Sequence, residues 1–123
     1  MINSNYNYAE SVWQDIFIFL EEKGYNVYPP DTATGICKEP YLVVKKSGGT
    51  KNYDINSNVD YYSIFCFVPK TSYDKLDKLV LNIKNDMKEL FPYIRYADED
   101  GMSYYDKEIE AHSIEILFLN YKK

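Results

Sequence analysis

The side chain best suited to acid–base chemistry near neutral pH is His112, the only histidine in the chain. Glu110 precedes it by two residues, so the two side chains share a face if the segment is a strand and could form a hydrogen-bonded pair. A general base also needs a nucleophile within reach, and the sequence has neither a Gly-x-Ser-x-Gly elbow nor a distinctive cysteine context. We therefore interpret His112 as a structural or interface residue and predict that the chain is not an enzyme.

A second group that could do chemistry is a cluster of carboxylates in the last third of the chain. It comprises Asp98, Glu99, Asp100, Asp106, Glu108 and Glu110. Carboxylate oxygens are the ligands of calcium and magnesium, but the EF-hand spacing fails because Tyr96 would stand at position one and Lys107 at position twelve. The cluster indicates a solvated acidic turn, and no metal is predicted.

A glycine-containing segment, Ser47–Lys51, faintly resembles a phosphate-binding loop. It lacks the Gly-x-x-x-x-Gly-Lys-Ser/Thr spacing and does not open a helix, so we predict no cofactor. We interpret 47–58 as a flexible turn and polar loop. Lys45, Lys46 and Lys51 make it modestly basic, which suits either a nucleic-acid backbone or the protection of an edge strand by lysine.

Two segments with the apolar spacing of amphipathic helices must position these groups. The first is Tyr8–Lys23, ended by Gly24, and the second begins with Thr71 or Ser72 as its N-cap and stops at Pro92. The apolar face of the second helix consists of Leu76, Leu79, Val80, Ile83, Met87, Leu90 and Phe91. Both predictions rest on residues recurring every three or four positions.

Strands are predicted at Tyr25–Tyr28, Tyr41–Lys46, Val59–Val68, Ile109–Tyr121 and, as a short segment, Tyr93–Tyr96. The order α-β-β-β-α-(β)-β predicts an α+β fold with a mostly antiparallel sheet of four to five strands. With 123 residues and no linker, the chain is interpreted as one domain, 1–123.

The two longest strands are apolar on both faces, which is typical of strands covered on both sides. Two arrangements of the helices remain open. Either one helix covers each face, or both share one face and the other face or the edges of the sheet meet another chain.

The composition excludes some classes of protein. Aromatic residues make up 17% of the chain, far more than a disordered chain would have. The formal net charge of −5, with Arg95 as the only arginine, disfavours a protein held by phosphate contacts. The two cysteines form no CxxC motif, and no signal or membrane segment is recognised, so Cys66 is predicted to be a buried thiol in a cytoplasmic protein.

Several stretches carry a family resemblance. Gly35–Lys45 followed by a glycine-containing loop, Phe65–Lys70 leading into a helix near Tyr73, and the ending Asp106–Glu115 through Asn120–Lys123 resemble tail-terminator (tail-completion) or head-to-tail joining neck proteins of tailed bacteriophages and prophages. The resemblance covers most of the chain.

The resemblance implies a virion structural protein that acts in the host cytoplasm during assembly and then in the tail or neck. Its relatives commonly form a hexameric ring, a homo-oligomer that contacts the tail tube protein and the head connector, and DNA passes through the lumen without specific binding. No membrane partner and no catalytic residue are implied. The residues that we predict at subunit interfaces are Lys45, Lys46, Gly48, Gly49, Lys51, Tyr61, Tyr62, His112 and Tyr121.

A different class of function also fits the sequence. A small, acidic, aromatic-rich cytoplasmic domain can act as an immunity protein or inhibitor that blocks a basic toxin or nuclease by electrostatic complementarity. That hypothesis predicts a monomer on which the acidic residues 98–100 and 106–110 converge.

Overall fold

The computed structural model of the protein describes residues 11–52 and 57–122. Within these residues there are two α-helices, α1 at Val12–Glu22 and α2 at Leu76–Met87. The predicted start of the first helix at Tyr8 lies outside the described residues.

Helix α1 begins at Val12, after Ser11 as its N-cap, and ends next to Gly24 as its sequence predicts. The hydroxyl of Ser11 accepts a hydrogen bond from the main-chain N–H of Gln14 at 3.1 Å, which satisfies one of the free donors of the first turn. At the other end, Gly24 adopts a φ of 97° just beyond the helix, a conformation that favours glycine.

The start of α2 differs from the prediction. Thr71 and Ser72 do not cap it, because Lys70–Lys75 forms a separate 3₁₀ turn in which Ser72 has non-helical dihedral angles. Phe91 also leaves the predicted apolar face. Its backbone is extended after a short 3₁₀ turn at Lys88–Leu90, and its side chain is 62% exposed.

The described residues form one sheet of six strands, confirming an α+β fold with a mostly antiparallel sheet. The strands are β1 Val27–Tyr28, β2 Tyr41–Asn52, β3 Ser57–Pro69, β4 Arg95–Asp100, β5 Tyr104–Asp106 and β6 Ala111–Lys122. They lie in the order β1-β2-β3-β6-β4, and β5 pairs with the same edge of β6 as β4. Among the described strands only the β1–β2 pair is parallel, and β3 is central as its apolar sequence predicts.

Residues 47–52 and 57–58 belong to strands, which corrects their interpretation as a turn and loop, whereas positions 53–56 lie outside the described residues. Strand β2 continues to Asn52 in antiparallel register with β3, after a bulge between Lys46 and Gly48. Gly48 has a φ of 123°, and this left-handed conformation lets the strand resume pairing in spite of its polar sequence.

Both helices pack on the same face of the sheet. Their buried residues, among them Ile16, Leu20 and Ile83, meet a core that includes Ile64 and Ile116 from the two central strands. Of the two arrangements that the sequence left open, the helices within residues 11–52 and 57–122 adopt the second, in which both share one face.

No helix within residues 11–52 and 57–122 is long and apolar enough to cross a membrane. Cys37 and Cys66 are both buried free thiols, as predicted for Cys66. Cys66 has no exposed surface, and this burial raises the pKa of its thiol.

Candidate functional site

The candidate functional site is the face of the sheet opposite the helices, which we call the open face. Its register places side chains of β2, β3 and β6 side by side, since Val43 pairs with Phe65 and Tyr61 pairs with Leu119. The open face consists of Tyr41, Val43, Lys45, Tyr61, Ser63, Phe65, Phe67, Glu115, Leu117, Leu119 and Tyr121. Most of these side chains are half-buried against one another, and no helix within residues 11–52 and 57–122 covers them.

One end of the open face is concave. The chain between β1 and β2 folds back over it, held by a 2.7 Å hydrogen bond from the main-chain N–H of Cys37 to the carbonyl of Ile109. The resulting cavity of about 320 Å³ has Tyr41, Phe65 and Phe67 among its lining residues. The rings of Tyr41 and Phe67 stack with centroids 4.8 Å apart, so this end presents a preformed aromatic surface.

A polar chain crosses the middle of the open face. Ser63 on the central strand is fully buried, and its hydroxyl donates a hydrogen bond to the carboxylate of Glu115 on β6. Because the single proton of Ser63 is used in this way, its hydrogen bond with Ser47 on β2 must have Ser47 as the donor. Three strands are thus joined by side chains on a surface whose other members are mostly apolar.

The other end of the open face carries the only arginine. The guanidinium carbon of Arg95 lies 5.1 Å from the centre of the Phe91 ring and 5.2 Å from that of Tyr121. Both rings belong to residues that are more than half exposed. Aromatic contacts of this kind orient a guanidinium without using its outer N–H groups, which stay available to an acceptor.

The structure places three of the predicted interface residues on the open face: Lys45, Tyr61 and Tyr121. Gly48 lies in the bulge of β2. Gly49 and Lys51 belong to the same strand, but the structure does not describe what surrounds them.

Three other predicted interface residues lie elsewhere. Tyr62 is corrected from surface to core, because it points toward the helices and is only 3% exposed. Lys46 also points to the helix side, where its amine lies 3.7 Å from a carboxylate oxygen of Asp60. The lysines at 45 and 46 therefore form no joint patch.

His112, the third of these residues, lies at the end of β6 between two tyrosine rings. The centroid of its ring is 4.7 Å from that of Tyr73 and 5.0 Å from that of Tyr105. Glu110 instead forms an ion pair with Lys70, in which the lysine Nζ lies 3.1 Å from the carboxylate Oε1. The ring of His112 therefore packs against aromatic rings, and the hydrogen-bonded pair with Glu110 that the sequence allowed is not formed.

The acidic residues follow one edge of the sheet. Strands β4 and β5 both pair with β6 there, so Asp98–Asp100 and Asp106 share that edge. The amine of Lys84 lies 2.7 Å from Asp100. Across the described parts of the chain, no three His, Cys, Asp or Glu side chains gather closely enough to hold a metal ion.

Sequence reasoning missed the stack of Phe91, Arg95 and Tyr121. The three residues are brought together only by the register that sets Arg95 opposite Leu119, two residues before Tyr121 on β6. The one signal in the sequence was the solitary arginine near an aromatic residue four positions earlier.

Comparison of the chain with models of protein families, and with curated proteins, finds no match.

Proposed function

We propose that this protein is a structural subunit of a bacteriophage or prophage tail, of the tail-terminator or head-to-tail joining type. In this role copies of the chain form a ring, hexameric as in the proteins that the sequence resembles, at the head-proximal end of the tail. The observation that carries the proposal is that, in the part of the chain that the structure describes, α1 and α2 lie on one face of the sheet and the other, aromatic face has no helix against it.

The chemistry of the open face supports contact with protein. Aromatic and aliphatic side chains such as Tyr61, Phe65 and Leu117 dominate it, and such residues are enriched in the centres of interfaces. Completing the burial of one such side chain contributes on the order of 1 kcal/mol. Several of them on one surface would supply a stable contact between subunits.

The charge of the chain suits a conduit for DNA. A net charge of −5 disfavours attachment to phosphates, so a ring of such subunits would let DNA pass through its lumen without holding it. The partners proposed for the two ends of the ring are the tail tube protein and the head connector.

The proposal is tested by replacing Leu117 with lysine on the open face. The matched control is Ile36→Lys, which changes an apolar residue that is 47% exposed in the segment between β1 and β2. We expect the wild-type and control proteins to form rings, alone or on tail tubes, in light scattering and negative-stain images. The Leu117→Lys protein should remain folded by circular dichroism but fail to assemble.

Two results would contradict the proposal. One is a wild-type protein that stays monomeric at its highest soluble concentration and also when mixed with tail tubes. The other is assembly by the Leu117→Lys protein that equals assembly by the wild type.

One observation favours the alternative of an acidic inhibitor. Asp98, Glu99 and Asp100 are exposed along the same sheet edge as β5, which gives a basic toxin or nuclease a complementary surface. The neighbouring genes separate the two functions, since capsid and tail genes favour the ring subunit and a toxin gene favours the inhibitor.

A further inference from the structure

We propose that a groove between α2 and β4 binds Glu99 and Met102 of a second copy of this chain. The inference rests on the proposed self-assembly and names a second contact, in a groove that adjoins the open face at Arg95. The groove encloses about 760 Å³, and its lining includes Met87, Ile94 and Phe118.

The rim of the groove is both apolar and exposed. Leu81 on α2 is 58% exposed and Phe91 is 62% exposed, although both line the groove. Large apolar side chains left in water beside a cavity are typical of a surface that another molecule covers.

The groove is basic in a protein that is acidic overall. Lys84, Lys88 and Arg95 line it, against one carboxylate from Asp98. Lys84 is already paired with Asp100 of the same chain. Within residues 11–52 and 57–122 neither Lys88 nor Arg95 forms an ion pair, so these two cations are available to carboxylates of a partner.

The chain itself carries a segment with the complementary chemistry. Met102 is 89% exposed, and Glu99, which forms no ion pair among the described residues, precedes it by three positions. Asp98 and Asp100 stay at the groove of their own chain, Asp98 in its lining and Asp100 on Lys84. An apolar side chain beside a carboxylate matches an apolar groove with cations on its rim. The high exposure of Met102 also shows that it does not occupy the groove of its own chain.

The positions of turn and groove suit a repeated contact between copies. Arg95 lies opposite Leu119 of β6, whereas the main-chain N–H of Gly101 donates to the carbonyl of Glu115 at 2.8 Å. Four residues of β6 separate these points, roughly 13 Å along the strand. A contact in which each copy offers Glu99 and Met102 to one neighbour and its groove to another would supply the two complementary patches that a head-to-tail ring requires.

The test reverses the charge of one residue in the groove, Arg95, and of one residue in the turn, Glu99. Arg95→Glu sets an acid against the turn, and Glu99→Arg sets a cation against the groove. We expect each variant alone to associate at least about tenfold more weakly than the wild type in light scattering or sedimentation. An equimolar mixture of the two variants should associate again, because a groove that carries the new acid then meets a turn that carries the new cation. The double variant should also associate.

Matched controls carry the same charge changes elsewhere. Lys78→Glu on the exposed side of α2 and Glu21→Arg on α1 should leave association unchanged. Circular dichroism and thermal unfolding verify that every variant is folded.

The proposed contact is overturned if either single variant associates like the wild type, or if the mixture stays dissociated. A wild-type protein that binds tail tubes but never self-associates overturns the contact and leaves the proposed function standing. If the Leu117→Lys protein fails to assemble while the Arg95→Glu protein assembles normally, the groove contact is likewise overturned and the proposed function likewise stands. Failure of the wild-type protein to assemble in any of these mixtures counts against both.

Discussion

The indole N–H of Trp13 in α1 donates a hydrogen bond to the main-chain carbonyl of Val44 in β2, with a nitrogen–oxygen distance of 2.7 Å. Strand β1 pairs with β2 only as far as Val43, so Val44 is the first residue beyond that pairing. Its carbonyl points away from β3 and would otherwise be open to another strand. The only tryptophan of the chain therefore blocks the edge of the sheet where β1 ends.

Replacing Trp13 with phenylalanine should expose this edge carbonyl while keeping an aromatic ring next to Phe17, whose centroid lies 5.1 Å from that of Trp13. Loss of the hydrogen bond and part of the packing should lower the free energy of unfolding by about 1–2 kcal/mol. Urea unfolding followed by far-UV circular dichroism measures this difference. Glu21→Ala, a change at an exposed position of the same helix, is the control and should unfold like the wild type. A Trp13→Phe protein with the unfolding midpoint of the wild type would contradict the role of Trp13.

Glycine at position 48 is expected to be required by its backbone. Its φ of 123° is unfavourable for a residue with a Cβ, although the added atom would meet nothing within 4 Å. Gly48→Ala should therefore destabilise the protein by about 1 kcal/mol or more through strain at the bulge, without a steric clash. Gly24→Ala, at a φ of 97° and equally without steric neighbours, should behave similarly. Thermal unfolding of both variants checks this, and a neutral Gly48→Ala would show that the bulge can relax.

The strands and helices could be predicted from apolar spacing, because burial on one face leaves a period of two or of 3.6 in the sequence. The face of the sheet that the helices cover could not be predicted in this way. Phe65 and Ile64 are both apolar, and nothing local distinguishes the residue that meets α2 from the one that meets no helix. The continuation of β2 through Gly48 was missed for a related reason, since its pairing with Tyr61 depends on β3 and not on its own polar residues.

The two thiols should differ in reactivity. Cys66 lies in the core with no exposed surface, whereas Cys37 is 6% exposed in the segment between β1 and β2. Burial raises the pKa of both thiols, so both are poor nucleophiles in the folded protein. A thiol reagent applied to the Cys37→Ser and Cys66→Ala proteins should label Cys37 by local opening and Cys66 only at the rate of global unfolding. Equal rates for the two thiols would contradict this difference in packing.

A buried acid should make stability depend on pH in an unusual direction. Asp15 of α1 is 1% exposed and accepts a hydrogen bond from the hydroxyl of Tyr93. Its other carboxylate oxygen has no hydrogen-bond partner among the described residues. Burial raises the pKa of Asp15 above its ordinary value of 3.8, and the hydrogen bond from Tyr93 only partly opposes this effect.

Between pH 3.8 and the raised pKa, the folded protein holds a proton on Asp15 that the unfolded chain has lost. Stability from this group therefore falls as the pH rises through that window, the opposite of the usual aspartate. We expect Asp15→Asn, which keeps an acceptor for Tyr93 and removes the charge, to be at least as stable as the wild type at about pH 7. The advantage should shrink as the pH is lowered toward about 4.

Urea unfolding of the wild-type and Asp15→Asn proteins across this pH range isolates the contribution of Asp15, because the other carboxylates titrate equally in both. Tyr93→Phe serves as the opposite control. It removes the donor and leaves the buried carboxylate unsatisfied, which should cost about 1–3 kcal/mol at neutral pH. A stability difference between Asp15→Asn and wild type that is constant with pH would mean that Asp15 titrates alike in the folded and unfolded chains, and that its burial does not perturb its charge.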